Sequence, residues 1–393
     1  MTGGLPSSVA ILGSTGSVGV QAIDVAIKNN IPVDLIAAKS NVGRLEEQIR
    51  LLKPRLCAVT DAKAAKDLSL RVKDTDTRIY AGDEGLSAAI CETVAPVVVN
   101  AIIGEAGLLP TLSVIKAGKR LALSNKESLV IAGEIVMREA KTAHTEIIPV
   151  DSEHSAIFQS LLAGRASEVR RILLTASGGP FFNYSKEQLA GVTLADTLRH
   201  PTWKMGKKIT VDCATMMNKG FEVIEAAHLF SLPPEAVEVV VHRESIIHSA
   251  VEYIDNTVMA QMGVPDMRAC VQYALTYPLR TEGVTAPLDL FSVGKLSFYR
   301  PDDEAFPLLP LAYTALSEGG AVPAVMNAVN EVAVAAFLSE RISFTDISDV
   351  VYDLTVDLRS QAKKMTSLEE ILSYDRIARS LAEERVAKIQ AGA

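Results

Sequence analysis

Several ingredients are scarce in this 393-residue sequence, and each scarcity narrows what it does. The four cysteines, Cys57, Cys91, Cys213 and Cys270, are scattered with no C-x-x-C spacing. That argues against a disulfide framework or a thiolate metal site, and reduced thiols in a cytoplasmic protein are expected. The six histidines include no H-x-x-x-H pair, so no zinc centre is expected, and His144, His228, His242 and His248 read as packed or surface residues. Basic charge is short: 39 Lys and Arg against 47 Asp and Glu give a net −8, which speaks against nucleic acid as a partner. An anionic ligand would need a local pocket of Lys, Arg, His and backbone N–H groups. No uninterrupted apolar run reaches membrane length. The most apolar region, residues 94–115, holds Glu105 and two prolines, so no membrane partner is expected. The first residues carry no basic n-region and run into a strand, so no export signal is expected.

What is present is a long alternation of short apolar runs with helical patterns. The length is too great for one ordinary core and suggests two or three domains. Strands are expected at residues 9–13, 33–37, 56–59, 78–81, 97–101, 120–122 and 146–150. Helices are expected at 17–28, from 41, at 62–68, 108–117 and 127–144, with Gly118 placed as a helix-end glycine. This predicts an α/β fold whose first part, residues 1–150, is a Rossmann-like doubly wound parallel sheet. The pattern then changes. Strands at 171–176 and 236–242, a hairpin of 246–253 and 257–262 around Asp255-Asn256, and a helix at 266–277 stopped by Pro278 predict a central α+β domain over 151–281. Residues 282–305, rich in Gly, Pro and Asp, read as a linker. Residues 306–393 read as a helical C-terminal domain, with helices at 308–317, 325–338 and 345–360 and a capping box at Ser367 and Glu370.

The first βα unit carries glycines at Gly13, Gly16 and Gly19, a G-x-x-G-x-x-G spacing. Small residues there let backbone approach a pyrophosphate at a helix N-terminus, and Ser14, Thr15 and Ser17 add hydroxyls. The alternative is a tight turn without a ligand. At the end of the second strand stand Ala38, Lys39, Ser40 and Asn41, while the nearest acid, Asp34, sits at the strand's start. A lysine there suits a 2′-phosphate, which predicts NADPH rather than NADH; the alternative is a solvated surface lysine.

Three further segments carry chemistry. Ser124, Asn125, Lys126 and Glu127 follow a strand end, the edge where open α/β sheets bind ligands. Asp151, Ser152, Glu153 and His154 follow another. In extended backbone Asp151 and Glu153 would point the same way, and two such carboxylates call for a cation or a shared proton. The alternative is a helix N-terminus, whose dipole accommodates acids. The third segment runs from Asp212 through Cys213 to Glu222; if helical, Asn218, Lys219 and Glu222 share a face. A surface ion pair is the competing reading for Lys219 and Glu222. An all-oxygen set of Asp151, Glu153 and Glu222 would suit Mg²⁺ or Mn²⁺. Two loops complete the set. The loop at 175–181 could offer Ser177 to a phosphate or be an ordinary strand-end turn. The loop at 200–206, with the single tryptophan, could be core packing or an apolar lid.

In order along the chain, LGSTGSVG, ALSNKESLV, PVDSEHSAIFQ, ASGGPF, HPTWKMGKKITVD and ATMMNKGFEVIEA resemble the motifs of the 1-deoxy-D-xylulose 5-phosphate reductoisomerase family. The resemblance extends to MNAVNEVAVAAFL and FTDI in the C-terminal part. It implies an NADPH- and divalent-metal-dependent enzyme of non-mevalonate isoprenoid synthesis. Such an enzyme rearranges a sugar phosphate, 1-deoxy-D-xylulose 5-phosphate, and reduces it to 2-C-methyl-D-erythritol 4-phosphate, and it works as a homodimer. By the resemblance, Asp151, Glu153 and Glu222 are metal ligands and Lys126, Ser152 and His200 contact substrate. Ser177, Asn218 and Lys219 grip its phosphate. Thr15, Gly16, Ser17, Val18, Ala38, Lys39, Ser40, Asn125, Glu127 and Gly206 line NADPH, and Trp203 and Met205 belong to a mobile flap. Sensitivity to phosphonate hydroxamates such as fosmidomycin is also implied. The sequence departs from the family at Cys213, where a phosphate-binding serine is expected; a thiol is the weaker donor. Two other readings of the residues are a homoserine or aspartate-semialdehyde type of dehydrogenase, which needs no acidic triad, and a non-catalytic NADPH-sensing protein.

Overall fold

The computed structural model describes residues 4–199, 203 and 205–392. Seven short strands pair in parallel: β1 (Val9–Leu12), β2 (Val33–Ala38), β3 (Leu56–Val59), β4 (Arg78–Ala81), β5 (Val97–Asn100), β6 (Arg120–Leu123) and β7 (Ile147–Pro149). Among the described residues they form one sheet in the order β4-β3-β2-β1-β5-β6-β7. β1 and β5 are buried at every position, as strands covered on both faces must be, and both are near-continuous apolar runs. The order reverses between β1 and β5. The crevice outside the carboxyl ends of those two strands is where doubly wound sheets bind ligands. Gly118 ends its helix at φ +65°, as expected.

Helix Ser17–Lys28 follows β1 and buries Ala22, Ile23, Val25 and Ala26. Helix Met267–Thr276 packs on it, placing Val271, Ala274 and Leu275 in the same core, and Arg268 meets Asp24 at 3.2 Å. The chain therefore divides differently from the sequential boundaries at 150 and 281. One compact unit comprises Met1–Ser128, Val136–Phe158 and Asp266–Pro287; the other comprises Leu129–Ile135, Gln159–Pro265 and Leu288–Ala393. Apolar periodicity shows that a helix buries a face but not what covers it, so sequence alone groups 266–277 with its neighbours along the chain.

In the second unit β8 (Val169–Ala176), β9 (Val237–Val241), β10 (Ile247–Tyr253) and β11 (Val258–Met262) form a sheet in the order β11-β10-β8-β9 among the described residues. β8 and β9 run parallel and the other pairs antiparallel, with Asn256 at φ +69° in the hairpin turn. Helix Met217–Phe230 packs on β9 and on helix Leu308–Glu318. A Cβ on Gly220 would lie 2.7 Å from Ala312 Cβ, so this crossing requires a glycine. Helix Val322–Leu338 packs against Phe344–Ala362 and Leu368–Gln390, and the capping box of Ser367 and Glu370 is formed. These helices fall in one compact unit with the four-stranded sheet. Nor is 282–305 a bare linker: it contains helix Leu290–Val293, and Tyr299 bridges to Val241.

Helix Gly82–Glu92 is among those the sequence reading missed, and the helix expected at 127–144 forms with a break. Helix Gly82–Glu92 has two glycines and a weak apolar stripe. Helix Glu127–Thr142 is broken at Ala132 (φ −144°, ψ 38°). Next to the break, a Cβ on Gly133 would lie 2.2 Å from the His228 ring. Among the described residues no helix is long and apolar enough to cross a membrane.

Candidate active site

The glycine turn lies at the strand-order reversal. Gly13 has φ +80°, and a Cβ there would sit 2.5 Å from Ala101 O at the end of β5. A Cβ on Gly19 would sit 2.2 Å from Gly13 O, so that glycine lets the helix seat against the turn. Gly16 caps the helix at φ −78°, and a Cβ there would meet only Gly13 O, at 3.3 Å. The turn thus leaves backbone N–H groups at an uncrowded helix start, a favourable seat for a phosphate. Ser14 is not part of that seat. Its buried hydroxyl donates to Gln48 Oε1 at 2.7 Å, and Gln48 Nε2 donates back to Ser14 O at 2.9 Å. Thr15, Ser17 and the half-buried Val18 remain on the turn's outer side.

At the carboxyl end of β2, Ala38 is buried while Lys39 and Ser40 are exposed. Asp34 stands at the other end, bonded to Arg55 at 3.1 Å, the Thr93 hydroxyl at 2.5 Å and Val94 N at 3.0 Å. Burial acts to raise its pKa, but these partners hold its carboxyl below the usual range. No acid from β2 therefore competes with Lys39 for a 2′-phosphate.

Beyond β6, Asn125 braces the turn. Its Nδ2 donates to Ile102 O at 2.8 Å, Gly104 O at 2.9 Å and Glu127 at 3.1 Å, and its Oδ1 accepts Ser128 N–H at 2.9 Å. Lys126 is buried and pairs with Asp151 at 2.7 Å. Burial tends to raise the Asp151 pKa, yet the Lys126 charge and the His154 contact hold it well below the usual carboxylate range. The extended geometry expected for this segment is not what forms. β7 ends at Pro149, Asp151 O accepts Ser155 N–H at 2.8 Å, and Ser152 and Glu153 open helix Ser152–Ser160. The acids meet at a helix N-terminus, where the dipole favours them. Ser152 bonds Glu153. Cys270 lies near both acids; burial first, then their charge, pushes its thiol up to about 12.

In the second unit Lys219 Nζ donates to Thr175 O at 2.5 Å and pairs with Glu222, and Asn218 Nδ2 donates to Glu222 at 2.5 Å. Lys219 is 5% and Glu222 1% exposed, which rules out a surface ion pair. The turn after β8 has Gly178 at φ +73° and Gly179 at +64°, and Ser177 Oγ accepts Gly179 N–H at 3.2 Å. A Cβ on Gly179 would lie 2.6 Å from Cys213 O. Ser177, Cys213, Asn218 and Lys219 are thus gathered around one end of β8. The Trp203 ring is 6.2 Å from that of His248, and Met205 is half-buried. Gly206 caps helix Lys207–Ala214, and a Cβ there would meet nothing within 4 Å. His200 lies outside the described residues.

Some residues of this region carried no sequence signal. Arg243 Nη1 donates to Ser177 O at 2.7 Å and Gly179 O at 2.6 Å. Buried Asp212 accepts from Lys208 at 3.0 Å and Asn330 at 2.8 Å. The contacts of Arg243 and Asn330 are long-range partnerships that no local spacing announces, whereas Lys208 and Asp212 stand four apart on one helix.

Residues 9–133 match the family model described as 1-deoxy-D-xylulose 5-phosphate reductoisomerase, and residues 147–230 and 262–381 match models of that enzyme's C-terminal domains. A 1-deoxy-D-xylulose 5-phosphate reductoisomerase of Chlorobium phaeobacteroides is 52% identical over 377 residues, 95% of this chain and 98% of the relative. The solved reductoisomerase of Zymomonas mobilis in complex with NADPH superposes with a TM-score of 0.90 at 40% identity, covering 97% of this chain and 99% of that one. A reductoisomerase in complex with NADPH, fosmidomycin and magnesium superposes with a TM-score of 0.92 at 38% identity, covering 98% and 99%.

Proposed function

This chain belongs to the 1-deoxy-D-xylulose 5-phosphate reductoisomerase family, and we propose that Asp151, Glu153 and Glu222 are its divalent-metal ligands and the turn of Gly13, Gly16 and Gly19 its NADPH seat. The chain is an NADP-dependent oxidoreductase that converts 1-deoxy-D-xylulose 5-phosphate to 2-C-methyl-D-erythritol 4-phosphate in isoprenoid synthesis, with NADPH and magnesium. Family membership sets aside the semialdehyde-type dehydrogenase and the non-catalytic sensor.

The observation that carries the residue assignment is the pair of buried Lys126 and half-buried Asp151, 2.7 Å apart, with Glu153 beside it at a helix start. The donors are hard oxygens, which suits magnesium and, by the same chemistry, manganese. Bound there, the metal supplies Lewis acidity to the substrate's carbonyl and hydroxyl oxygens. Lys126 holds Asp151 ionised and can hold or move a proton at its Nζ as the substrate oxygens change charge. Ser152 and His200 orient the sugar. Ser177, Asn218 and Lys219, with Cys213 in the family's serine position, take the phosphate. Thr15, Ser17, Val18, Ala38, Lys39, Ser40, Asn125, Glu127 and Gly206 line the cofactor, Lys39 through its charge. Trp203 and Met205 form an apolar cover that excludes water during reduction. The sheet of β1–β7 is the nucleotide-binding part, and the second unit holds the phosphate.

A homodimer is the proposed assembly, supported by exposed Val258, Met259 and Met262 on edge strand β11. The cytoplasm is the proposed compartment, in keeping with the scattered cysteines. Spectrophotometric oxidation of NADPH with 1-deoxy-D-xylulose 5-phosphate and Mg²⁺ tests the reading. Folded protein that oxidises no NADPH would refute it, and a monomer in sedimentation velocity would refute the dimer.

A further inference from the structure

We propose that Arg243 is a positioning residue for the phosphate end of the substrate, acting through the loop that carries Ser177; this rests on reading Ser177, Asn218 and Lys219 as the phosphate grip. The loop between β8 and Phe181 depends on two consecutive glycines in left-handed backbone, Gly178 and Gly179. Glycine adopts that conformation without penalty but has no preference for it, so an outside contact must select it. Arg243 supplies the contact: one guanidinium nitrogen donates to the carbonyls on both sides of the glycine pair's first member, Ser177 O at 2.7 Å and Gly179 O at 2.6 Å. The guanidinium is itself held in place, 5.1 Å above the Phe182 ring.

Its backbone is also anchored. His242 Nδ1 donates to Ser297 O at 2.9 Å, and its Nε2 accepts the N–H groups of Ile246 at 3.1 Å and Ile247 at 3.2 Å. The neighbouring Glu244 carboxylate is engaged by Ser297 and His242. The corner after β9 is thus fixed by the ring of His242, and Arg243 projects from that corner to the loop after β8.

In a trans peptide the C=O and the following N–H point in opposite directions. Turning Ser177 O toward Arg243 turns Gly178 N–H away from it. A cation drawing the carbonyl ends to one side leaves an amide end on the other, the arrangement that favours an anion. Arg243 therefore presets the loop for phosphate without needing to touch it. Glycine-loop contact with Cys213 transmits the same setting to the start of the Asn218 and Lys219 segment, since Gly179 abuts Cys213 O.

The test is steady-state NADPH oxidation by Arg243→Ala and Arg243→Lys, with inorganic phosphate as a competitive probe and a thermal melt of each protein. In Arg243→Ala the KM for 1-deoxy-D-xylulose 5-phosphate rises about tenfold, as for loss of charge-assisted hydrogen bonds, and inhibition by phosphate weakens in parallel. The KM for NADPH and kcat stay within about twofold, and Arg243→Lys, which restores one donor, lies between. An unchanged substrate KM, or an equal rise in the NADPH KM, overturns the proposal. If Arg243→Ala does not fold, the same split read in Arg243→Lys decides. A wild-type protein inactive on the substrate would instead sink the functional reading, so the two failures are distinguishable.

Discussion

Asp151 and Lys126 depend on each other, because the buried Lys126 pairs with the half-buried Asp151 at 2.7 Å. Asp151→Asn should leave the protein folded but lower kcat by about 10²-fold or more and raise the Mg²⁺ concentration for half-activity, since one ligand oxygen and one compensating charge are lost together. Near-normal kcat at ordinary Mg²⁺ would show that Asp151 is only a helix-entry residue. Lys39 offers a cleaner electrostatic test because it is exposed and its replacement costs no packing. Lys39→Glu should raise the NADPH KM about tenfold or more by setting a like charge against the 2′-phosphate; an unchanged KM would remove it from the cofactor site. Cys213 stands where the family resemblance implies a serine, and a thiol is the weaker donor. Cys213→Ser should therefore tighten substrate KM or leave it unchanged, and a marked loss of affinity would show that the thiol has a role of its own. These residues can be proposed from sequence because each belongs to a contiguous motif. Arg243 and the Asp212–Asn330 contact cannot, since their partners lie 66 and 118 positions away.

Among elements, the glycine spacing of the first turn carried more information than its match to a fingerprint. Gly13 makes the turn, Gly19 seats the helix, and only Gly16 is left unforced by the chain's own packing. Gly19→Ala should therefore destabilise the fold by about 1–3 kcal/mol, as overpacking does, and should abolish NADPH binding. Cofactor titration by fluorescence, with a melt as control, checks both, and wild-type affinity would contradict the seating argument. Gly220 makes a parallel case on the helix of Lys219 and Glu222, whose crossing with Leu308–Glu318 leaves no room for a methyl. What the sequence hid at this scale was local geometry. Two acids spaced i and i+2 look the same entering a strand or a helix, and only the end of β7 at Pro149 decides for the helix. The break at Ala132 is equally silent: no proline marks it, and the neighbouring Gly133 seats against a ring, His228, that lies far along the chain.

Over the whole molecule, the order of strands and helices could be read from periodicity, and the compact units could not. Helix Met267–Thr276 returns to the first helix, and helices Leu308–Glu318 and Val322–Leu338 pack on Met217–Phe230 and Lys207–Ala214, because burial is settled by partners distant in sequence. The same burial predicts how stability depends on pH. His228 and His248 are both enclosed in the second unit, and desolvation lowers the pKa of each, with Glu134 partly opposing it at His228 and backbone contacts at His248. In the unfolded chain each takes a proton near about pH 6.5. In the folded chain protonation is delayed to lower pH, so between those points the unfolded state binds more protons. Stability is therefore full above about pH 6.5 and falls as the pH drops through the window below it. The carboxylates with lowered pKa, such as Asp24, Asp34 and Asp266, start from an ordinary value of 3.8 and act only in more acidic solution. The loss between pH 7 and 5 thus belongs to the histidines. Urea midpoints measured across that range should decline, and His228→Gln, outside the catalytic residues, should flatten the decline. A midpoint that holds constant in the wild type, or a slope unaltered by His228→Gln, would show that burial of this ring does not govern the acid side of stability.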